Sequence, residues 1–67
     1  MGRFIKIAAF DGYGNKTDNL INVDAIVSIS QAHSQYSDYT ICLNNGHFYS
    51  ILADDAYKIF RMIGISL

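Results

Sequence analysis

An α+β fold follows from three features of the chain: a small, strongly bent antiparallel sheet of four or five strands, with one C-terminal helix packed across its inner face. Asn44-Asn45-Gly46 separates two apolar runs, residues 39–43 and 47–52. Asn-Gly between such runs is the strongest short-range hairpin signal, because both residues tolerate φ > 0. Ala56, Ile59, Phe60 and Ile63 recur at i, i+3, i+4, i+7, which is the single apolar stripe of an amphipathic helix. The runs before residue 39 are short, apolar and β-branched, as strands are.

Residues 3–10 form the first strand, with Phe4, Ala8 and Phe10 on one side and Ile5, Ile7 and Ala9 on the other. Lys6 is its only internal charge, so both faces are expected to be covered. Residues 11–19 are rich in Gly, Asp and Asn and read as a turn-rich loop. They do not complete a P-loop pattern, and no helix is expected after them, so a phosphate site is not read there. Leu20-Ile21-Asn22 resumes a short strand, and Asn22-Val23-Asp24 reads as an Asx-type turn capping one helical turn. Residues 25–30 are a further strand, and the polar, aperiodic residues 31–38 a loop.

In the closing hairpin Tyr39, Ile41 and Leu43 share one face and Thr40 and Cys42 the other, while His47, Tyr49 and Ile51 alternate with Phe48, Ser50 and Leu52. Asp54 is the expected N-cap, with Asp55 in the first turn at the positive end of the helix dipole. Lys58 and Arg61 fall on the solvent side, and Gly64 is a natural stop. The helix stripe with Ile5, Ile7, Ile26, Ile29, Ile41 and Leu43 is the expected core.

At 67 residues residues 1–67 make one domain, and a domain of this size buries only about 60% of the surface its unfolded chain exposes. Yet 51% of the chain is hydrophobic, with ten Ile, four Phe and five Tyr. Some of that surface is expected to be covered by a second copy or another protein. The first strand, apolar on both sides where one helix covers one, makes a homodimer or higher oligomer the expected state. The formal net charge of −1 arises from scattered residues, which gives little long-range attraction for an anionic polymer. No segment approaches the roughly 20 apolar residues of a membrane span, and no signal-peptide core is present. With Cys42 as the single cysteine, an unpaired, buried thiol and a reducing, cytoplasmic setting are expected.

The order Ile21-Asn22-Val23-Asp24-Ala25-Ile26, an apolar Ile29, then Thr40-Ile41-Cys42-Leu43-Asn44-Asn45-Gly46 and a helix resembles the FlbD/SwrD family of small flagellar proteins over residues 20–63. Val23 stands where that family prefers Pro, and the loops at 11–19 and 31–38 are longer. Small orphan phage and prophage proteins look similar. The resemblance implies the same turn, strand, hairpin and helix, and a non-enzymatic role.

The chemistry-bearing residues point the same way. His33 and His47 are the only histidines, and zinc would need two further ligands beyond them. Cys42 has neither a helix N-terminus nor a cationic neighbour in sequence to make a thiolate. Asp54 and Asp55 are adjacent, so on a helix their side chains diverge by about 100°. Asp11, Asp18 and Asp24 lie in expected turns, and the chain holds no Glu to close a calcium loop. No catalytic, metal-binding or cofactor-binding residue is therefore assigned. Phe4, Phe10, Tyr13, Tyr36, Tyr39 and Tyr49 are the candidate interface. Aromatics of this kind anchor protein contacts or stack bases. The five Lys and Arg against six acids favour a protein partner. The alternative is a small nucleic-acid-binding regulator with a local basic patch at Arg3, Lys6 and Lys58.

Overall fold

The computed structural model describes residues 2–32 and 34–64, so His33 lies outside the described residues. The elements run β1 (Phe4–Phe10), β2 (Lys16–Asn22), a 3-10 turn (Val23–Ala25), β3 (Ile26–Gln31), β4 (Tyr39–Leu43), β5 (Phe48–Ile51) and α1 (Ala53–Ile63). The α+β class with a terminal helix holds. The strands, however, divide between a two-stranded sheet, β1-β2, and a three-stranded sheet, β3-β4-β5, both antiparallel. The division falls at the 3-10 turn. There the Asn22 side chain accepts from the Asp24 N–H at 3.0 Å, and the chain passes from one sheet to the other with Val23 buried beneath it.

Both hairpins close with the same three-residue turn. In the second, Gly46 N–H donates to the Leu43 carbonyl and Leu43 N–H to the His47 carbonyl; in the first, Gly14 N–H donates to the Asp11 carbonyl and Asp11 N–H to the Asn15 carbonyl. Gly46 and Gly14 sit at φ +87° and +84°, and no non-glycine residue has positive φ among the described residues. The Asn residues of the second turn therefore stay in ordinary backbone space, and only the glycine supplies the left-handed step.

The first turn is shorter than the loop expected over 11–19, because β2 begins at Lys16. Residues 16–18 are exposed and show no alternation of apolar residues. They are held in a strand by their ladder with Ala8, Ala9 and Phe10, which is a tertiary effect that periodicity does not register. Ile5 and Ile7 face Ile21 and Asn19 on the inner side of β1-β2, and Phe4 and Lys6 face Asn22 and Leu20 on the outer side. The expectation that both faces of β1 are covered fails within a single copy. Ile7 is buried, but Phe4 and Lys6 are exposed and Phe10 half-buried. One helix covers one face only.

Ile7, Ile21, Val23, Ile41, Ile51, Ala56, Ile59 and Phe60 form the buried core, with Ile5, Ile26, Ile29, Tyr39 and Tyr49 packed against it. The stripe of α1 enters this core as its spacing predicts, except for Ile63, which remains partly exposed at the last turn. Gly64 ends the helix in the left-handed conformation at φ 82°, its N–H directed at the carbonyls of Arg61 and Phe60.

The N-cap differs from expectation. Leu52 occupies that position and makes no side-chain bond, while Asp54 lies inside the first turn. Asp38, from the loop before β4, supplies the cap, its Oδ2 accepting from Ala53 N–H at 2.8 Å. The same residue donates its own N–H to the Ile51 carbonyl and accepts at its carbonyl from Ala32 N–H, each at 2.8 Å. A distant Asp satisfies an orphan donor as well as a local one would, and sequence spacing carries no sign of it. Asp55 reaches the other way, accepting from the Ala8 N–H of β1 at 2.9 Å.

Candidate interaction surfaces

Three surfaces remain open once the core is closed. The first is the outer side of the β1-β2 hairpin. Phe4 is 59% and Leu20 69% exposed, and they are diagonal neighbours in the ladder, since Phe4 faces Asn22 and Lys6 faces Leu20. Lys6 Nζ lies 3.9 Å from Asp18 Oδ2 on the same side. Tyr13 stands at the tip, 87% exposed. The turn beneath it is rigid, because the Asp11 side chain accepts from the N–H groups of Tyr13 and Asn15 and from the Asn15 amide. The Asn15 side-chain amide, followed by those backbone donors, holds the Asp11 carboxyl below its usual range.

The second surface is the outer side of the three-stranded sheet. Ser30, Thr40 and Ser50 form one row across it, and Ser28, Cys42 and Phe48 the next. Cys42 is half-buried rather than fully buried as expected, because it points to this uncovered side. Its thiol lies 3.5 Å from the Leu43 carbonyl.

The third is an open apolar groove of about 360 Å³ between the outer edge of β3 and the end of α1, lined by Ile26, Ile29, Tyr39, Phe60 and Ile63 among others.

The six expected interface residues do not come together. Phe4 and Tyr13 are presented on the first hairpin, and Phe10 is half-buried near its tip. The Tyr36 ring lies over Gly14, where an added Cβ would come within 2.7 Å of it. Tyr39 is turned inward, its ring edge-on to Phe60 at 5.6 Å and to Tyr57 at 6.4 Å. Tyr49, opposite Ile41 in the ladder, packs against the core. Leu20 was not expected, although its place opposite Lys6 follows once the hairpin register is known.

Among the described residues no group of three His, Cys or Asp side chains gathers where it could hold a metal ion. Arg3 binds Asp24 at 2.8 Å and also donates to the Met62 carbonyl. Its side chain first, then its backbone N–H, holds the Asp24 carboxyl below its usual value of 3.8. A depressed folded pKa means that Asp24 stabilises the fold above about pH 4, and that this contribution is lost as pH falls through the depressed value. The stability gap between the native chain and Asp24→Asn should therefore be open at pH 7 and narrow below pH 4 in urea titrations. A gap that stays constant down to pH 2 would show that the Arg3–Asp24 pair does not contribute to stability.

No helix among the described residues is long and apolar enough to cross a membrane. No family model matches this chain, and neither a curated protein nor a solved structure matches it.

Proposed function

We propose that this chain is a non-enzymatic protein-interaction module, oligomeric, that serves as an accessory factor or inhibitor by occupying a surface of another protein. The observation that carries the reading is the outer side of β1-β2, where Phe4 and Leu20 lie exposed side by side with Tyr13 beyond them. An apolar patch whose charged neighbours on the same face are the Lys6–Asp18 pair and Lys16 opposite Phe10 suits protein better than an anionic polymer. The turn, strand, hairpin and helix order that resembles the FlbD/SwrD proteins supports the same reading.

Nucleic-acid binding is the second reading, and local charge weighs against it. Each of its three basic residues has an acid within 4 Å: Arg3 with Asp24, Lys6 with Asp18 and Lys58 with Asp55. Counterion release from such paired cations is small.

Immobilised native chain and Phe4→Asp, both folded by far-UV circular dichroism, should differ in capture from lysate of the source cell. A host protein held in stoichiometric amount by the native chain is expected to be lost with Phe4→Asp. Identical capture by both would overturn the assignment of this face. Single-stranded oligonucleotides bound with a steep salt dependence would replace the whole reading with the second one.

A further inference from the structure

β3 is one of the two outer strands of its sheet, so every second N–H and C=O along one side faces away from β4. Such edges are ordinarily blunted by Lys, Pro or a bulge. β3 reads Ile-Val-Ser-Ile-Ser-Gln, with neither a charge nor a proline. Its bulge takes Val27 out of the ladder and leaves that side chain 65% exposed, while residues 28–31 continue in regular register with β4. Both strands of the other sheet are outer and both carry charge, Lys6 in β1 and Lys16 and Asp18 in β2. β5, the other edge of the three-stranded sheet, also lacks charge and proline, but it lies against β1. Residues 28–31 of β3 are therefore the unguarded edge left open, and the apolar groove lies along β3.

We propose that this edge is the contact between two copies of the chain, paired antiparallel about Ile29 so that their three-stranded sheets join into one continuous sheet with both helices on the same face. The inference rests on the oligomeric part of the reading above and places it on a different surface from Phe4.

Face matching, with Ile29 set against Ile29 instead of the bulged Val27 or the polar Gln31, selects the register. Ile29 lies opposite Ile41 on the core side, and Ser28 and Ser30 lie opposite Cys42 and Thr40 on the outer side. Opposed residues in a sheet share a face, so Ile29 can meet Ile29 of the second copy while Ser28 meets Ser30. A shift by one residue would set serine against isoleucine.

Charge selects the occupant and its direction. α1 starts at Asp38, which caps it, and ends where Arg3 binds the Met62 carbonyl. β3 runs the opposite way, from the Asp24 turn to Gln31 beside Tyr39. Exposed Asp38 and Asp54 thus mark one end of the edge, and exposed Arg61 the other, where Arg3 is neutralised by Asp24. Antiparallel pairing of two copies sets the acidic end of each against the Arg61 end of its mate, and places the helix dipoles antiparallel. Parallel pairing would stack like charges. One strand edge and a groove make a contact at the small end of interfaces, so the dimer should dissociate on dilution.

The test uses the full chain with Cys42→Ser, since Cys42 lies directly across from Ser28. Ser28→Cys and Ser30→Cys chains are prepared separately, then oxidised alone and as an equimolar mixture. The mixture is expected to yield a cross-linked dimer containing one of each, several-fold more than either chain alone. The Ser28→Asp/Ser30→Asp chain, with like charges opposed across the axis, should sediment as a folded monomer at concentrations where the native chain is dimeric. A native chain that is monomeric throughout the accessible range overturns the inference, as does a mixture that cross-links no better than its components. If Phe4→Asp makes a monomer while Ser28→Asp/Ser30→Asp stays dimeric, the hairpin face is the contact and β3 is not. A monomeric native chain that still loses its protein partner through Phe4→Asp overturns this inference alone and leaves the interaction module standing.

Discussion

Replacing Phe60 by alanine should lower the stability of this domain by about 3–5 kcal/mol, the usual cost of removing a buried Phe ring. The ring is 8% exposed and meets Tyr39 edge-on and Tyr57 at a tilt, so the neighbours it leaves cannot collapse without moving β4. A domain of this size holds little more than that in total, and the variant is expected to be largely unfolded at 37 °C. Ile63→Ala, on the same helical stripe but partly exposed, should cost well under half as much. Urea titrations of the two variants check the pair. Equal losses would show that Ile63 is as deeply packed as Phe60, and a thermal shift of only a degree or two for Phe60→Ala would place the ring outside the core.

Gly14 and Gly46 provide the second large contrast, because they occupy the same position in turns of the same kind. At either site an L side chain in the left-handed region costs about 1–2 kcal/mol. An alanine at Gly46 meets no described atom within 4 Å, whereas one at Gly14 lies 2.7 Å from Cε1 of Tyr36 and 2.9 Å from Cδ1. Gly14→Ala should therefore lose the backbone cost and, in addition, the seat of the Tyr36 ring. Combining it with Tyr36→Ala should bring its penalty down to that of Gly46→Ala. The double-mutant cycle reads this directly, and a coupling energy near zero would mean that Tyr36 does not rest on the turn.

What the sequence discloses of this fold is what short-range physics dictates. The Asn22 turn, the second hairpin, the helix stripe and the Gly64 stop each depend on neighbours a few residues apart, and each is found where its residues place it. The start of β2 and the helix cap depend on partners far along the chain. Lys16-Thr17-Asp18 pairs with β1 despite a loop-like composition, and Asp38 reaches Ala53 across the whole second hairpin. The open surfaces were half legible. Phe4 and Tyr13 stand out as aromatics with no place in a thin core. Tyr39 and Tyr49 looked the same by composition but alternate onto the core side of their strands. The unguarded edge of β3 is invisible in sequence, because whether a strand is outer or central is a property of topology.

The bonds from Arg3 to the Met62 carbonyl and from Ala8 to Asp55 span 59 and 47 residues. They make the first strand dependent on the last element. A two-stranded hairpin is marginal by itself in water, and the inner isoleucines of β1-β2 are fully covered only when β4, β5 and α1 are all available. During synthesis the first hairpin therefore emerges before the elements that cover its inner side, β4, β5 and α1, and is expected to be held only once they have followed. Loop-closure entropy grows slowly with length, so the delay costs little in final stability. It falls instead on the rate of folding, and it makes opening of the helix and release of the first strand one event.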